Sequence, residues 1–183
     1  MYFFYNVLTN FVIIISPIIF LFRIIKGKED PKRFKEKFCL YSRKKSNKKI
    51  WIHAASVGEL MSIVPILKNL EKNIKIKNIL LTTSTTSSAK IFAKLKFKKT
   101  FHIYFPLDAN FLTLRFIKYW QPQLAIFVDS EIWPNMFKNL HLKKVPVIIL
   151  NARITKRSFN RWQIFPDFAK EVFSKISMAM PQN

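Results

Sequence analysis

Residues 51–60 read WIHAASVGEL. Residues 50–54 are apolar and β-rich, Ser56–Val57–Gly58 is a turn, and Glu59 opens a stretch to Lys72 in which Leu60, Ile63, Val64, Leu67 and Leu70 recur at helical spacing. A strand that passes through a short turn into an amphipathic helix is half of a βαβ unit, and the same change of period recurs along the chain. Strands are expected at Ile50–Ala54, Ile79–Thr83, Phe101–Phe105, Leu124–Val128, Val145–Leu150 and Ile176–Met180, at spacings of roughly 22 to 30 residues. Helical patterns lie between them at Ser87–Lys94, Phe111–Tyr119, Pro134–Leu140 and Pro166–Lys175. The fold class is therefore α/β: a Rossmann-like, mostly parallel sheet with helices on both faces over residues 50–183, with no sequence repeat and no second domain within them.

Composition removes several classes of answer. Half of the 183 residues are hydrophobic and 15% are aromatic, which supports a folded core and argues against disorder. Cys39 is the single cysteine, so no disulfide scaffold is possible. Gly27 and Gly58 are the only glycines, too few for a Gly-rich phosphate loop of the GxGxxG or GxxxxGK[ST] type. The surplus of 32 Lys+Arg over 10 Asp+Glu gives a net charge of +22, which attracts polyanions and says nothing about fold. Abundant Lys, Ile, Asn and Phe is also the composition an AT-rich genome produces. No aromatic–basic block of the kind that stacks RNA bases is present, so nucleic acid is not the expected partner.

A better partner for the charge lies at the start of the chain. No charged side chain occurs between Met1 and Arg23, and Phe3–Phe22 is dominated by Phe, Ile, Val and Leu. About 20 such residues, rising ~1.5 Å each, can cross a hydrocarbon core of ~30 Å. Asn6, Thr9, Asn10, Ser16 and Pro17 interrupt the run and keep open a kinked or interfacial helix. A basic n-region and a small-residue cleavage site, the marks of a signal peptide, do not appear here. Residues 1–22 are thus expected to be a membrane-anchor helix. Residues 23–49 form a basic juxtamembrane segment with a polar linker at 38–49, in which Arg23, Lys26, Lys28, Lys32, Arg33, Lys35 and Lys37 face an anionic cytoplasmic leaflet.

In open parallel sheets the working residues sit outside the carboxyl ends of the strands. Four segments meet that rule: 53–59, 82–88, 106–110 and 129–135. Glu59 stands at the first strand-to-helix turn with Ser56 and Gly58; it is placed to accept a proton from a substrate hydroxyl, although a first-turn acid also suits a helix N-terminus. The same segment is only a faint match to the GxSxG elbow of serine hydrolases, since Ala54 stands where the first glycine would be. Thr83, Ser84 and Thr85 belong to the hydroxyl-rich run TTSTTSS, which can hold a phosphate or sugar beside a helix N-terminus or simply cap the helix. Asp129 and Glu131 follow the fourth strand; a third ligand is lacking, so a metal is not expected. Residues 151–162, NARITKRSFNRW, read as a basic loop after the fifth strand, in which Arg153 and Arg157 suit the phosphates of an anionic acceptor or simply form a solvated face.

Taken in order, GKEDPKRFKEKF, WIHAASVGE, LLTTSTTSSA, YFPLD, DSEIWPN, NARITKRS and MPQ resemble the N-terminal half of the bacterial 3-deoxy-D-manno-octulosonic acid (Kdo) transferases of lipid A glycosylation. The resemblance runs from about residue 20 to the end of the chain. It implies a GT-B glycosyltransferase whose membrane-associated N-terminal domain binds a lipid A precursor (lipid IVA) while a C-terminal domain binds CMP-Kdo. It implies Glu59 as general base and Glu131 as a second functional acid, with no cofactor and no metal, at the cytoplasmic face of the inner membrane. Family members are roughly twice as long, so the donor half is expected from further residues or a separate chain. Alone, these residues would be a membrane-tethered acceptor-binding module.

Overall fold

The computed structural model describes residues 1–42 and 49–182. Strands β1 (Lys49–His53), β2 (Asn78–Thr83), β3 (Thr100–Tyr104), β4 (Pro122–Val128), β5 (Val147–Ala152) and β6 (Met178–Pro181) form one sheet in the order β3-β2-β1-β4-β5-β6. Every neighbouring pair is parallel. This is the doubly wound order, and the direction of winding reverses between β1 and β4. All six strands stand within two residues of the positions read from the sequence.

The alternation of side chains sorts the core into two layers. Trp51, Leu80, Ala125, Phe127, Val147 and Ile149 face one side, where α4 (Asn110–Trp120), α5 (Pro134–Leu142) and α7 (Pro166–Phe173) supply Phe116, Phe137 and Val172. Ile52, Ile79, Leu81, Ile126 and Val128 face the other, under α2 (Val57–Lys72) and α3 (Thr86–Lys94), with Leu60, Ile63 and Leu67 of α2 fully buried. The helix starts follow local chemistry. Ser56 and Thr85 each accept a hydrogen bond from the amide three residues on, and Pro134 and Pro166 occupy first-turn positions where no amide hydrogen is needed.

Helix α1 (Tyr2–Ile25) does not stand apart from this body. Tyr2 packs edge-on against Phe168 and its hydroxyl donates to the Pro134 carbonyl at 3.3 Å, while Phe20 packs against Phe34 and Phe38. The following segment is folded too. Phe34–Phe38 forms a 3-10 turn, and Glu29 is buried between Lys37 (2.8 Å) and Arg23 (3.2 Å). Three of the seven basic residues assigned to the membrane are consequently structural: Lys37 is buried on Glu29, Arg23 shares that carboxylate, and Arg33 forks onto Glu36 and donates to the His102 carbonyl. Lys26, Lys28, Lys32 and Lys35 remain exposed.

Two expectations need correction. Residues 38–42, read as the start of a polar linker, pack onto the body, with Cys39 2% exposed and Tyr41 against Trp120; the rest of that linker, 43–48, lies outside the described residues. Residues 156–163, read as part of a basic loop, form helix α6 (Lys156–Gln163), capped by the Thr155 hydroxyl on the Ser158 amide.

Candidate active site

The carboxyl ends of β1, β4 and β5 converge at the switch point, where a cleft of about 200 Å³ is lined by Ser56, Gly58, Glu59, Ser62, Val128, Asp129, Asn151, Arg153 and Gln182. The turn 55–59 shapes its floor. Ser56 Oγ accepts the Glu59 amide at 3.3 Å, and Glu59 Oε2 reaches back to the Ala55 amide at 2.8 Å, a reciprocal arrangement close to a capping box. Glu59 is half-buried, and among the described residues its Oε1 has no partner. The carboxylate is thereby fixed by one oxygen and offers the other to the cleft. Gly58 is exposed beside it; a Cβ there would meet only Ser56 Oγ, at 3.9 Å.

Asp129 and Glu131 are separated by the backbone. Asp129 has φ +64°, which ends the strand's alternation, and the two acids take different partners. Asp129 receives a two-pronged bond from Arg153, Nε to Oδ1 at 2.6 Å and Nη2 to Oδ2 at 2.7 Å. Glu131 turns toward the core, where Oε2 accepts Trp133 Nε1 at 3.0 Å and lies 3.4 Å from His53 Nε2. His53 is fully buried and stacked on Phe105. His53 Nδ1 lies 2.9 Å from Thr82 Oγ1, which accepts Trp51 Nε1 at 2.9 Å, and 3.2 Å from the Thr82 carbonyl, so each ring nitrogen faces an oxygen that can accept its proton.

The structure thus brings together four of the nine expected residues, Ser56, Gly58, Glu59 and Arg153. Glu131 sits behind the cleft, on the same loop as Asp129. Thr83 faces inward: it is fully buried, with its hydroxyl 2.8 Å from His102 Nε2. Thr85 caps α3, and Ser84 donates its amide to the Ala55 carbonyl, so both border the neighbouring strand end. Arg157 is exposed on α6 and does not line the cleft. Sequence reading passed over Ser62, Asn151, Gln182 and His53. Ser62 follows Glu59 by three residues on the same helix face, and Asn151 closes a strand, so both carried a positional signal.

Beyond the Asp129–Arg153 pair the cleft adjoins a hollow of about 220 Å³ walled by Ile132, Ile149, Ala152, Ile154, Trp162 and Ile176 among others. Ser130, Ile132, Ser158 and Trp162 are shared with a groove of about 810 Å³ between α1 and the α6–α7 turn, where Phe4, Leu8 and Phe165 are also found.

A sequence profile of the 3-deoxy-D-manno-octulosonic-acid transferases matches residues 32–183. The chain belongs to the Kdo transferase family. It is 35% identical over 167 residues to a 3-deoxy-D-manno-octulosonic acid transferase of Rickettsia bellii, covering 91% of this chain and 40% of that one. It is 32% identical over 180 residues to the enzyme of that name from Haemophilus influenzae, covering 96% and 42%. The chain therefore spans about two fifths of these Kdo transferases, corresponding to their N-terminal part. Among solved structures, a UDP-N-acetylglucosamine 2-epimerase superposes with a TM-score of 0.51 at 12% identity over 74% of this chain and 42% of the other, a likeness of fold alone.

Proposed function

We propose that these residues are the acceptor side of an enzyme that transfers Kdo from CMP-Kdo to a lipid A precursor (lipid IVA) in lipopolysaccharide synthesis, with inversion, at the cytoplasmic face of the inner membrane. Glu59 takes the proton of an acceptor sugar hydroxyl; that oxygen forms the new bond to the anomeric carbon of Kdo, and the bond to the phosphate breaks as CMP leaves with the electron pair. Arg153, its guanidinium largely exposed while Asp129 holds its orientation, suits an acceptor phosphate. Glu131, held by Trp133 and His53, keeps the 129–133 loop in place behind the cleft. The observation that carries this reading is the posture of Glu59, tied by one oxygen to the Ala55 amide at the switch point of a doubly wound sheet. The adjoining apolar hollow and groove suit an acceptor that bears acyl chains.

Transfer of labelled Kdo from CMP-Kdo to lipid IVA tests it, using this chain joined to or co-expressed with the donor domain of a relative. Glu59→Gln lowers turnover by about 100-fold or more if Glu59 is the base; unchanged turnover refutes that role.

A further inference from the structure

The apolar helix α1 is long enough to cross a bilayer, yet its contacts run along the body from end to end. At its start, Tyr5 Oη donates to Asp108 Oδ2 at 2.7 Å and Tyr2 reaches Pro134 and Phe168. In its middle, Ile13 packs on the core and Ser16 is 2% exposed. At its end, Phe20 meets Phe34 and Phe38 of the 3-10 turn. The helix has 24 residues and is therefore about 36 Å long. A helix that crossed the membrane would carry one end about 30 Å from the water-soluble body and would lose the contacts there.

The spacing of the contact residues tells the same story. Tyr2, Asn6, Thr9, Ile13, Ser16 and Phe20 recur at alternating steps of four and three, a single stripe on a helix, and none of them is exposed. Of the polar residues that interrupt the apolar run, Asn6, Thr9 and Ser16 belong to this stripe, and Asn10 alone is exposed. The opposite face is apolar: Phe3 is 73% exposed, Phe11 58% and Ile18 72%. Cations stand near both ends of the helix. Lys26 lies over the exposed Phe22 ring at 4.3 Å, Lys138 over the ring of the docked Tyr2 at 4.5 Å, and Arg161 borders the groove that α1 shares with Phe165.

We infer that α1 lies in the plane of one leaflet of an anionic bilayer, its outer face buried to the depth of the headgroup–acyl boundary and its polar stripe docked on the body, and that it does not cross. The occupant of the exposed face is lipid, because the ridge is apolar along its length apart from Asn10, carries no acidic residue, and leads into the exposed cations Lys26, Lys28, Lys32 and Lys35. The N-terminus then stays on the same side of the membrane as the active-site cleft, and the groove beside α1 opens at the level of the lipid headgroups. The inference goes beyond the Kdo-transfer reading and does not depend on it.

The test is topological and needs no transfer assay. A cysteine is added ahead of Met1, and in a second variant Lys94→Cys marks the body; native Cys39 is buried and serves as the blank. With a membrane-impermeant maleimide, both cysteines label in inverted inner-membrane vesicles and both are protected in spheroplasts. Labelling of the added cysteine in spheroplasts while Lys94→Cys stays protected means that α1 spans, and overturns the inference. In a second arm, the purified chain sediments with phosphatidylglycerol vesicles more than with phosphatidylcholine vesicles, and Phe11→Glu, a change on the outer face, lowers that binding by about ten-fold or more. If the chain instead remains with the supernatant and cross-links through α1 to a second copy, the face is a protein interface and the inference fails.

Discussion

At the scale of single residues, the cleft separates what the fold requires from what a ligand requires. Gly58 illustrates the difference. Its backbone is helical, and no protein atom lies closer to a prospective Cβ than Ser56 Oγ at 3.9 Å, so the fold has no steric need for glycine there. Gly58→Ala is expected to leave the melting temperature unchanged or slightly raised, since alanine is the better helix former by up to about 1 kcal/mol. Its methyl group projects beside Glu59, where the acceptor would sit, and kcat/KM for Kdo transfer should fall by about ten-fold or more, equivalent to ~1.4 kcal/mol. Calorimetry and a steady-state assay on the same preparation check both halves; loss of stability together with activity would return Gly58 to a structural role. The acids show how far a sequence alone could carry this reading. Glu59 was legible because a strand end, a turn and a helix start coincide on it. That Asp129 would pair with Arg153, 24 residues on, and leave Glu131 to His53 was not legible, because it depends on a left-handed backbone at Asp129 and on which strands are neighbours.

At the scale of elements, two buried titrating groups act in opposite senses. Asp108 accepts from the Asn135 and Met136 amides at the start of α5 and from Tyr5 of α1, yet burial pushes its carboxyl up to about 7. His102, buried on β3 beside the Arg33 guanidinium, is pushed down to about 3. Between about pH 4 and 6.5 the unfolded chain therefore holds a proton on His102 that the folded chain lacks, while the folded chain holds one on Asp108 that the unfolded chain lacks. The two slopes, each up to about 1.4 kcal/mol per pH unit, nearly cancel. Asp108→Asn should leave stability that rises with pH across this window, and His102→Gln stability that falls with pH; denaturant titrations at several pH values read the sign directly. Strand and helix identities were legible from periods of two and 3.6, which depend on neighbours in sequence. Helix α6 was not, because Lys156–Gln163 is polar and basic around most of its circumference and buries no residue. The 3-10 turn escaped notice for a related reason: its Lys37 reads as a surface cation until Glu29 is seen to be buried beside it.

At the scale of the whole molecule, the net charge of +22 is the cationic surplus left after every acid is counted, and Lys26, Lys28, Lys32 and Lys35 expose part of it just beyond the C-terminal end of α1. Attachment to an anionic surface should accordingly be weakened but not abolished by salt. At ~1 M, where the screening length is only ~3 Å, the lysine contribution fades while the apolar ridge of α1 still holds. Co-sedimentation with phosphatidylglycerol vesicles across a salt series checks this, and complete release by salt would assign attachment to charge alone. The polar stripe of α1 also imposes an order of events during synthesis. Tyr5 meets Asp108 across 103 residues, and Tyr2 meets Pro134 across 132. At ~5–20 residues per second, the ribosome delivers those partners about 5 to 20 s or more after the helix itself. Throughout that interval the nascent helix has no body to dock on; Thr9 and Ser16 bond carbonyls of the helix itself, and Asn6 is left to water or lipid headgroups. With α1 in the plane of a leaflet as inferred above, the chain would meet a membrane before it has a sheet, and the domain would assemble afterwards against a helix already lying on that surface.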